Sequence, residues 1–145
     1  ISIASVTITN RFESVFISNW AIAGNTINIY NLDTCNFNNC IIDGNQDDEL
    51  ALDFQSGGTV NYTFKNCVIK ATQTATNDSH FINPCRNCST GFSPNDDIYI
   101  PTLGSQAANY GDPSFAAGVF RFDIRNIERG IDNPNPDVGA FEIKP

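Results

Sequence analysis

The chain has 145 residues, of which 41% are hydrophobic and 17% charged, and its formal net charge is −8. This size and apolar content predict one domain with a single core and argue against a disordered chain. No apolar run approaches the ~20 residues of a membrane-spanning helix, so we expect no membrane span. The negative charge has the wrong sign for binding nucleic acid, so we expect no nucleic-acid partner.

Residues 1–8 alternate between apolar and polar types, which predicts a β-strand at the start of the chain. This start has no initiating Met and no signal-peptide pattern, and we expect a trimmed product, the last part of a longer parent chain. Short β-type runs separated by Asn, Gly and Asp turns continue beyond it, and no long stretch has a 3.6-residue period. The sequence therefore predicts an all-β fold.

An internal repeat occupies the middle of the chain. The segments N-W-A-I-A-G-N from Asn19, N-C-I-I-D-G-N from Asn39 and N-C-V-I-K from Asn66 resemble one another, and a weaker copy, N-C, begins at Asn87. The copies are 20, 27 and 21 residues apart, which is typical of β-solenoids built from short strands. The alternative is a β-sandwich in which the Asn-Cys pairs are coincidental. We favour the solenoid because several positions repeat in register.

This register predicts columns of side chains inside the coils, with one residue from each coil. The predicted columns are Trp20, Cys40, Cys67 and Cys88; then Ile22, Ile42 and Ile69; and finally Ile17, Phe37 and Phe64. The repeated Asn residues are expected to occupy tight turns and to stack as an amide ladder. Asn suits this position because it tolerates left-handed backbone and carries both a donor and an acceptor.

The 27-residue step contains extra loops at residues 46–48 and 56–58 around a strand-like run at 49–54. Extra length in a solenoid usually lies on one face and often lines the ligand surface. The candidate ligand-binding or Ca²⁺-binding residues are the carboxylates in this stretch, Asp43, Asp47, Asp48 and Glu49. If the loop worked as in the calcium-dependent lyases, Lys65 or Lys70 would be the base, although their spacing argues for neither. The alternative, which the sequence favours, is a solvated acidic loop with no metal and no cofactor.

Cys85 and Cys88 form a C-x-x-C pair close to the single histidine, His80. A closed zinc site needs a fourth ligand, and the sequence has no second C-x-x-C. A redox pair needs a helix N-terminus in a thioredoxin-like context, which is missing. A disulfide is a further alternative, so the redox state of the two residues stays open. The repeat register favours Cys88 as a core residue.

Residues 101–145 are expected to cap the coils of residues 1–100 and to pack on them as one domain. A solenoid end exposes strand edges and an apolar cross-section, and a Gly- and Pro-rich segment with a few apolar anchors can cover them. The predicted anchors are Leu103, Phe115, Phe120, Phe122, Ile124, Ile127 and Phe141. Arg129 is expected to pair with Asp137 or Glu142.

Two parts of the chain resemble a known family. Residues 39–70, from N-C-I-I-D-G-N to N-C-V-I-K, look like the pectin-lyase-like right-handed parallel β-helix proteins exported by Bacteroidetes. G-S-Q-A-A-N-Y-G-D at 104–112, D-I-R-N-I-E-R-G at 123–130 and D-V-G-A-F-E at 137–142 resemble the choice-of-anchor Q region of those proteins. Gln106, Tyr110 and Asn126 depart from the usual residues. The resemblance spans residues 28–145 and implies a right-handed parallel β-helix, export and a C-terminal position, but no activity.

N-Q-D-D at residues 45–48 resembles an element of polygalacturonases, in which paired carboxylates cleave a glycosidic bond. The other elements of that family are absent. We therefore expect a non-catalytic C-terminal β-helix module of an exported protein, at the cell surface, in the periplasm or outside the cell, that contacts or is displayed near polysaccharide. The alternative is a carbohydrate-active enzyme, a polysaccharide lyase or a glycoside hydrolase, or a fragment of one.

Overall fold

The computed structural model describes residues 2–4, 7–8, 14–72, 79–92 and 99–143, and within these ranges the chain forms short strands and no α-helix. The strands are β1 (Ser2–Ala4), β2 (Thr7–Ile8), β3 (Val15–Ser18), β4 (Trp20–Ala23), β5 (Thr26–Ile29), β6 (Leu32–Asn38), β7 (Ile41–Ile42), β8 (Leu50–Asp53), β9 (Val60–Lys65), β10 (Val68–Ile69), β11 (Phe81–Ile82) and β12 (Cys85–Arg86). Pro113–Phe115 and Gly118–Phe120 form short 3₁₀ turns. The prediction of an all-β fold is confirmed. Over the same ranges, no helix has the length and apolarity to cross a membrane.

Parallel pairing builds three sheets. The first has the strand order β1-β6-β9-β11, the second has the order β2-β7-β10-β12, and the third pairs β3 with β8. All pairings within these sheets are parallel. Strands β1 to β3 visit the three sheets in turn and β6 to β8 visit them again, whereas β9–β10 and β11–β12 repeat the first two steps. Each such passage is termed a pass below. Sandwiches of sequential hairpins do not have this order.

Aromatic rings from neighbouring strands of the first sheet stack on one another. The parallel register sets Phe37 beside Phe64, and Phe64 beside Phe81. The ring centroids are 4.7 Å apart in the first pair and 5.0 Å apart in the second. The predicted column is therefore confirmed for Phe37 and Phe64. It is wrong for Ile17, because β3 lies in the third sheet, where Ile17 pairs with Leu52.

The second sheet carries the other two columns. Cys40, Cys67, Ile42 and Ile69 are all fully buried. The register pairs Ile42 with Ile69, and the backbone N–H of Val68 donates to the Cys40 carbonyl at 2.9 Å, which brings the two cysteine positions together. The prediction is confirmed for these four residues, because alternation from a shared turn sends the same positions inward in both passes.

The first copy of the repeat does not follow the prediction. Trp20 and Ile22 lie in β4, which pairs in antiparallel fashion with β5, so neither side chain joins a column, and Ile22 is 65% exposed. The reason is the turn between the two strands. Gly24 and Asn25 separate two alternating runs, a pattern typical of a two-residue hairpin, and Gly24 has a φ of 63°.

Asparagine residues turn the chain between the first and second sheets. Asn39, Asn66 and Asn83 occupy equivalent register positions, with φ values of 52°, 50° and 48°. The predicted left-handed turn is confirmed for Asn39, Asn66 and Asn87, the last with a φ of 53°, and is wrong for Asn19. The third member of the row is Asn83 rather than the predicted Asn87, because the last pass follows after a shorter step than the repeat suggested.

Asn87 and Asn19 make a different contact from the one predicted for them. Each side-chain amide pairs with the backbone of a neighbouring pass, donating to one carbonyl and accepting from one N–H. Asn87 bonds the backbone of Ala71 through two contacts of 3.0 Å, and Asn19 bonds Gln55 at 2.8 and 2.7 Å. These amides thus extend the backbone ladder from one pass to the next, although they lie outside the asparagine row.

The C-terminal segment, residues 101–143, lies along the asparagine row. The Asn39 side chain accepts a hydrogen bond from the N–H of Asp112 at 2.8 Å and donates to its carbonyl at 3.0 Å. The Asn66 side chain donates to the carbonyl of Tyr110 at 2.9 Å. The Tyr110 hydroxyl in turn donates to the carbonyl of Asn83 at 2.9 Å. The row of turns is therefore also the surface on which the C-terminal segment docks.

The fully buried anchors of this segment are small residues, while the predicted anchors Phe115, Ile127 and Phe141 are half-buried. Ala107 and Val138 are fully buried against the second sheet. The predicted anchors Leu103, Phe120, Phe122 and Ile124 are instead 41–75% exposed. The reason is that backbone packs on backbone here: a Cβ on Gly111 would lie 2.8 Å from the Pro136 carbonyl oxygen. The division of the chain at residue 100 stays a prediction.

Buried charges hold the end of the segment. Arg129 Nη1 lies 3.7 Å from Glu142 Oε2, which confirms the predicted pairing with Glu142. The guanidinium also donates to the carbonyls of Asp137 and Gly139, at 3.3 and 3.0 Å. Burial raises the pKa of Glu142, although the N–H groups of Gly130 and Asp137 act in the opposite direction. The network joins Arg129 and Gly130 to residues 137–142 and serves the structure of the tail.

Substitution of Asn39 tests the asparagine row. We expect Asn39→Ala to lower the free energy of unfolding by about 2–3 kcal/mol, because it removes two hydrogen bonds to Asp112 and leaves alanine at a positive φ. Asn39→Gly keeps the backbone conformation and should cost about 1 kcal/mol less. Asn83→Ala is the matched control, since it carries the backbone cost alone. Urea unfolding that gave equal losses for Asn39→Ala and Asn83→Ala would contradict the docking role.

Candidate functional site

Two of the four predicted carboxylates hold the loop to its neighbours. Glu49 is fully buried. The backbone N–H and the hydroxyl of Ser14 donate to its Oε2 at 3.0 and 2.8 Å, and the N–H of Gln46 donates to Oε1 at 2.7 Å. Asp48 accepts hydrogen bonds from the N–H and the hydroxyl of Thr72. Both side chains are thus occupied by contacts within the protein.

The other two carboxylates, Asp43 and Asp47, differ in their exposure to solvent. Asp47 is exposed, as a solvated loop predicts. Asp43 is half-buried, and its carboxylate accepts from the Thr90 hydroxyl at 2.9 Å and from the N–H of Gly44 at 2.8 Å. Over the described ranges, no three His, Cys, Asp or Glu side chains are grouped as metal ligands. Calcium binding at Asp43, Asp47, Asp48 and Glu49 stays a prediction.

Asp43 lines a pocket of about 360 Å³. The pocket lies beside the second sheet, between the residues that follow β7 and β10 and the residues that follow β12. Its lining residues are Asp43, Val68, Lys70, Asn87, Cys88, Ser89, Thr90, Gly91 and Phe92. The sequence points to Asp43 and Lys70, but it gives no signal for residues 89–92, which lie outside the repeat and match no motif.

The pocket combines charged, hydroxyl and aromatic groups. Lys70 Nζ donates to the carbonyl of Gly44 at 2.7 Å, which uses one of the three ammonium donors. The hydroxyl of Thr90 orients the Asp43 carboxylate. Phe92 forms one wall and is itself held by an edge contact with Tyr99, at 5.6 Å between ring centroids. Such a site can bind hydroxyl groups through Lys70 and Asp43 while an apolar face packs on the ring.

A disulfide closes one side of the pocket. Cys85 and Cys88 are bonded, with their Cα atoms 5.7 Å apart. The interpretation of Cys88 as a core residue in the Cys40–Cys67 column is wrong. The reason is the register of the last pass: Val68 pairs with Cys85, so Cys88 falls beyond the column and reaches back to Cys85.

Two other candidates from the sequence have structural partners. His80 Nδ1 lies 2.6 Å from the carbonyl oxygen of Tyr62, and its ring stacks on the Tyr62 ring at a centroid distance of 4.0 Å. Lys65 Nζ lies 2.5 Å from Asp112 Oδ2. That ion pair lowers the pKa of Asp112, and hydrogen bonds from Ser114 add to the effect against the opposing influence of burial. His80 and Lys65 therefore support the packing of the passes, and neither lines the pocket.

The remaining cysteines are buried thiols. Cys35, Cys40 and Cys67 form no disulfide and are inaccessible to solvent or nearly so. Burial raises the pKa of Cys67 well above its ordinary value, and the neighbouring Cys40 thiol adds to the shift. A protonated, buried thiol is neither a nucleophile nor a metal ligand. These three residues are core residues.

The pocket contains one of the two carboxylates that the glycosidase mechanism requires. Glycosidases place two carboxyl groups on opposite sides of the scissile bond, and Asp43 is the carboxylate among the pocket-lining residues. Asp48 and Glu49 are held by Thr72, Ser14 and Gln46 instead. No protein-family model, curated protein or solved structure matches this chain.

Proposed function

We propose that the chain winds as a right-handed parallel β-helix, with the C-terminal segment packed along its flank. Support comes from the three parallel ladders, which the chain visits in a fixed order. Further support comes from the asparagine row and from the ring stack of Phe37, Phe64 and Phe81, which repeat once in each of the last three passes. The proposed fold is the one implied by the resemblance of residues 28–145 to the exported pectin-lyase-like proteins of Bacteroidetes.

We propose that this β-helix is a non-catalytic, glycan-binding module of an exported surface protein. The observation that carries the proposal is the pocket, in which Lys70 and Asp43 face the same volume as the ring of Phe92. Polar groups that orient hydroxyls beside an aromatic wall suit a saccharide unit. The Cys85–Cys88 disulfide supports an oxidising compartment outside the cytosol, and the net charge of −8 supports solubility there.

A glycan panel tests the binding proposal. Neutral and uronate-containing oligosaccharides are screened, and any ligand found is titrated by calorimetry against the wild type, Asp43→Asn and Phe92→Ala. We expect each variant to weaken binding at least tenfold while the exposed-site control Asp47→Asn binds like the wild type. Circular dichroism checks that the variants fold. The proposal fails if no oligosaccharide binds, or if binding is unchanged in both pocket variants.

A polysaccharide lyase is the second candidate function. The specific observation that favours it is Lys70, a candidate base that shares the pocket with Asp43. Lyases produce an unsaturated uronate, so absorbance of that product in the presence and absence of calcium detects turnover directly. Turnover abolished in Lys70→Ala would replace the binding module with an enzyme. Turnover that is lost only in the double variant Asp47→Ala and Asp48→Ala would assign the chemistry to the acidic loop instead.

A further inference from the structure

The pocket holds two opposite charges that form no ion pair with each other. Its lining contains one carboxylate, that of Asp43, and one ammonium group, that of Lys70, and its other lining residues are uncharged. Over the described ranges, neither group belongs to any ion pair. Both residues are half-buried, and a charge that is partly removed from water is stabilised by a counter-charge. Each group can therefore still gain from a counter-charge on a ligand.

The backbone of Gly44 holds both charged groups in place. Its carbonyl accepts a hydrogen bond from Lys70 Nζ at 2.7 Å, and its N–H donates to Asp43 Oδ1 at 2.8 Å. The hydroxyl of Thr90 donates to Asp43 Oδ2 at 2.9 Å from the other wall of the pocket. Because the protein already fixes both groups, a ligand does not have to order them when it binds.

Both groups keep hydrogen-bonding capacity for a ligand. An ammonium group has three donors, and Lys70 uses one of them on Gly44. A carboxylate has about four acceptor positions, and Asp43 uses two of them, for Gly44 and Thr90. The ligand that satisfies both groups carries an acidic group for Lys70 and a nitrogen donor for Asp43.

The charge of the chain and the size of the pocket restrict the ligand further. A net charge of −8 opposes the approach of a purely anionic ligand, whereas a purely cationic ligand would bring its charge towards Lys70. A unit that carries one charge of each sign meets neither penalty. The volume of about 360 Å³ is near the lower end of the roughly 300–1,000 Å³ of ligand sites, which suits a single saccharide unit.

We propose that the pocket selects a zwitterionic saccharide unit, with its carboxylate on Lys70, its ammonium group on Asp43 and its apolar face on Phe92. This inference rests on the proposed glycan-binding function and names its ligand class as the amino sugar acids. Asp43 and Lys70 then determine specificity, because each recognises one of the two charges. Phe92 supplies a contact that saccharides of any charge share.

Calorimetric titration of the full chain with four sugars tests the ligand class. Muramic acid carries both an ammonium group and a carboxylate, glucosamine only the ammonium group, galacturonic acid only the carboxylate, and glucose neither. We expect muramic acid to bind at least tenfold more tightly than the other three. Asp43→Asn should abolish its advantage over galacturonic acid, and Lys70→Gln its advantage over glucosamine. Asp47→Asn and Arg121→Gln remove the same charges outside the pocket lining and should keep both advantages.

Salt dependence adds a second readout, and circular dichroism checks that the variants fold. Raising NaCl from about 50 to 500 mM should weaken the binding of muramic acid several-fold and leave that of glucose unchanged, because salt screens partly exposed charges. Glucose or galacturonic acid that binds as tightly as muramic acid, with binding lost in Phe92→Ala, overturns this inference but leaves the glycan-binding proposal in place. Alanine that binds as tightly as muramic acid overturns both, because it assigns the pocket to an amino acid.

Discussion

Replacing Glu49 with alanine is expected to lower the free energy of unfolding by about 2–4 kcal/mol. The carboxylate is fully buried and accepts hydrogen bonds from Ser14 and Gln46. Removing it leaves the N–H of the half-buried Ser14 without its acceptor, and an unsatisfied buried donor costs about 1–3 kcal/mol. Alanine also leaves empty the space of a fully buried side chain. The loss exceeds what a solvated acidic loop predicts, since surface substitutions usually change stability by about 0.5 kcal/mol or less.

Asp47→Ala is the matched control for Glu49→Ala, because Asp47 is exposed in the same loop. Urea unfolding should separate the two variants by about 1.5 kcal/mol or more. Glu49→Gln keeps the shape of the side chain and should fall between them. Equal stability of Glu49→Ala and Asp47→Ala would contradict the structural role. Repeating the measurement with CaCl₂ tests the metal prediction: a stabilisation that Asp47→Ala abolishes would assign the loop to calcium binding.

The parts of the fold that the sequence predicted well are those in which one local rule acts alone. Asn39 and Asn66 each begin an N-C pair after an alternating strand, and both adopt the left-handed turn that Asn tolerates. Once those turns were placed, the inward positions followed from strand alternation, and Phe37 and Phe64 were found correctly. Here local preference and long-range pairing agree.

The errors occurred where a similar local sequence has a different long-range partner. Asn19 begins a segment that resembles the true copies of the repeat. In this segment, however, Gly24 and Asn25 form the turn of a hairpin, so β4 pairs in antiparallel fashion with β5 instead of in parallel with a strand of another pass. Asn87 precedes a cysteine, as Asn39 and Asn66 do, yet the register of the last pass places Asn83 in the row. Pairing between distant strands decides both cases, and the repeat carries no information about it.

The candidate site was only partly predictable for a related reason. Asp43 and Lys70 were singled out from the composition of the loop and of the repeat, and both line the pocket. Asp48 and Glu49 looked equally suitable, because a sequence of adjacent carboxylates does not show which of them is buried. The other wall, residues 89–92, comes to Asp43 from 46 or more positions along the chain, and the hydrogen bond from Thr90 holds it there.

Phe64→Ala is expected to be the most destabilising single substitution, with a loss of about 3–5 kcal/mol. Phe64 is fully buried, and its ring lies between those of Phe37 and Phe81, at 4.7 and 5.0 Å. Alanine removes both ring contacts and leaves a cavity that the backbone of a continuous parallel sheet cannot close. Domains of this size are usually stable by about 5–15 kcal/mol, so the variant loses a large part of its stability.

Phe16→Ala is the control for Phe64→Ala, because Phe16 is also in a strand but is 62% exposed. It should cost less than about 1 kcal/mol. If Phe64→Ala is too unstable to purify, Phe64→Leu fills most of the volume and should give a measurable loss of about 1–2 kcal/mol. Chemical unfolding monitored by circular dichroism gives these values. A Phe64→Ala protein as stable as Phe16→Ala would mean that the rings do not stack from pass to pass. That result would contradict the proposed β-helix, because the ring stack is part of its core.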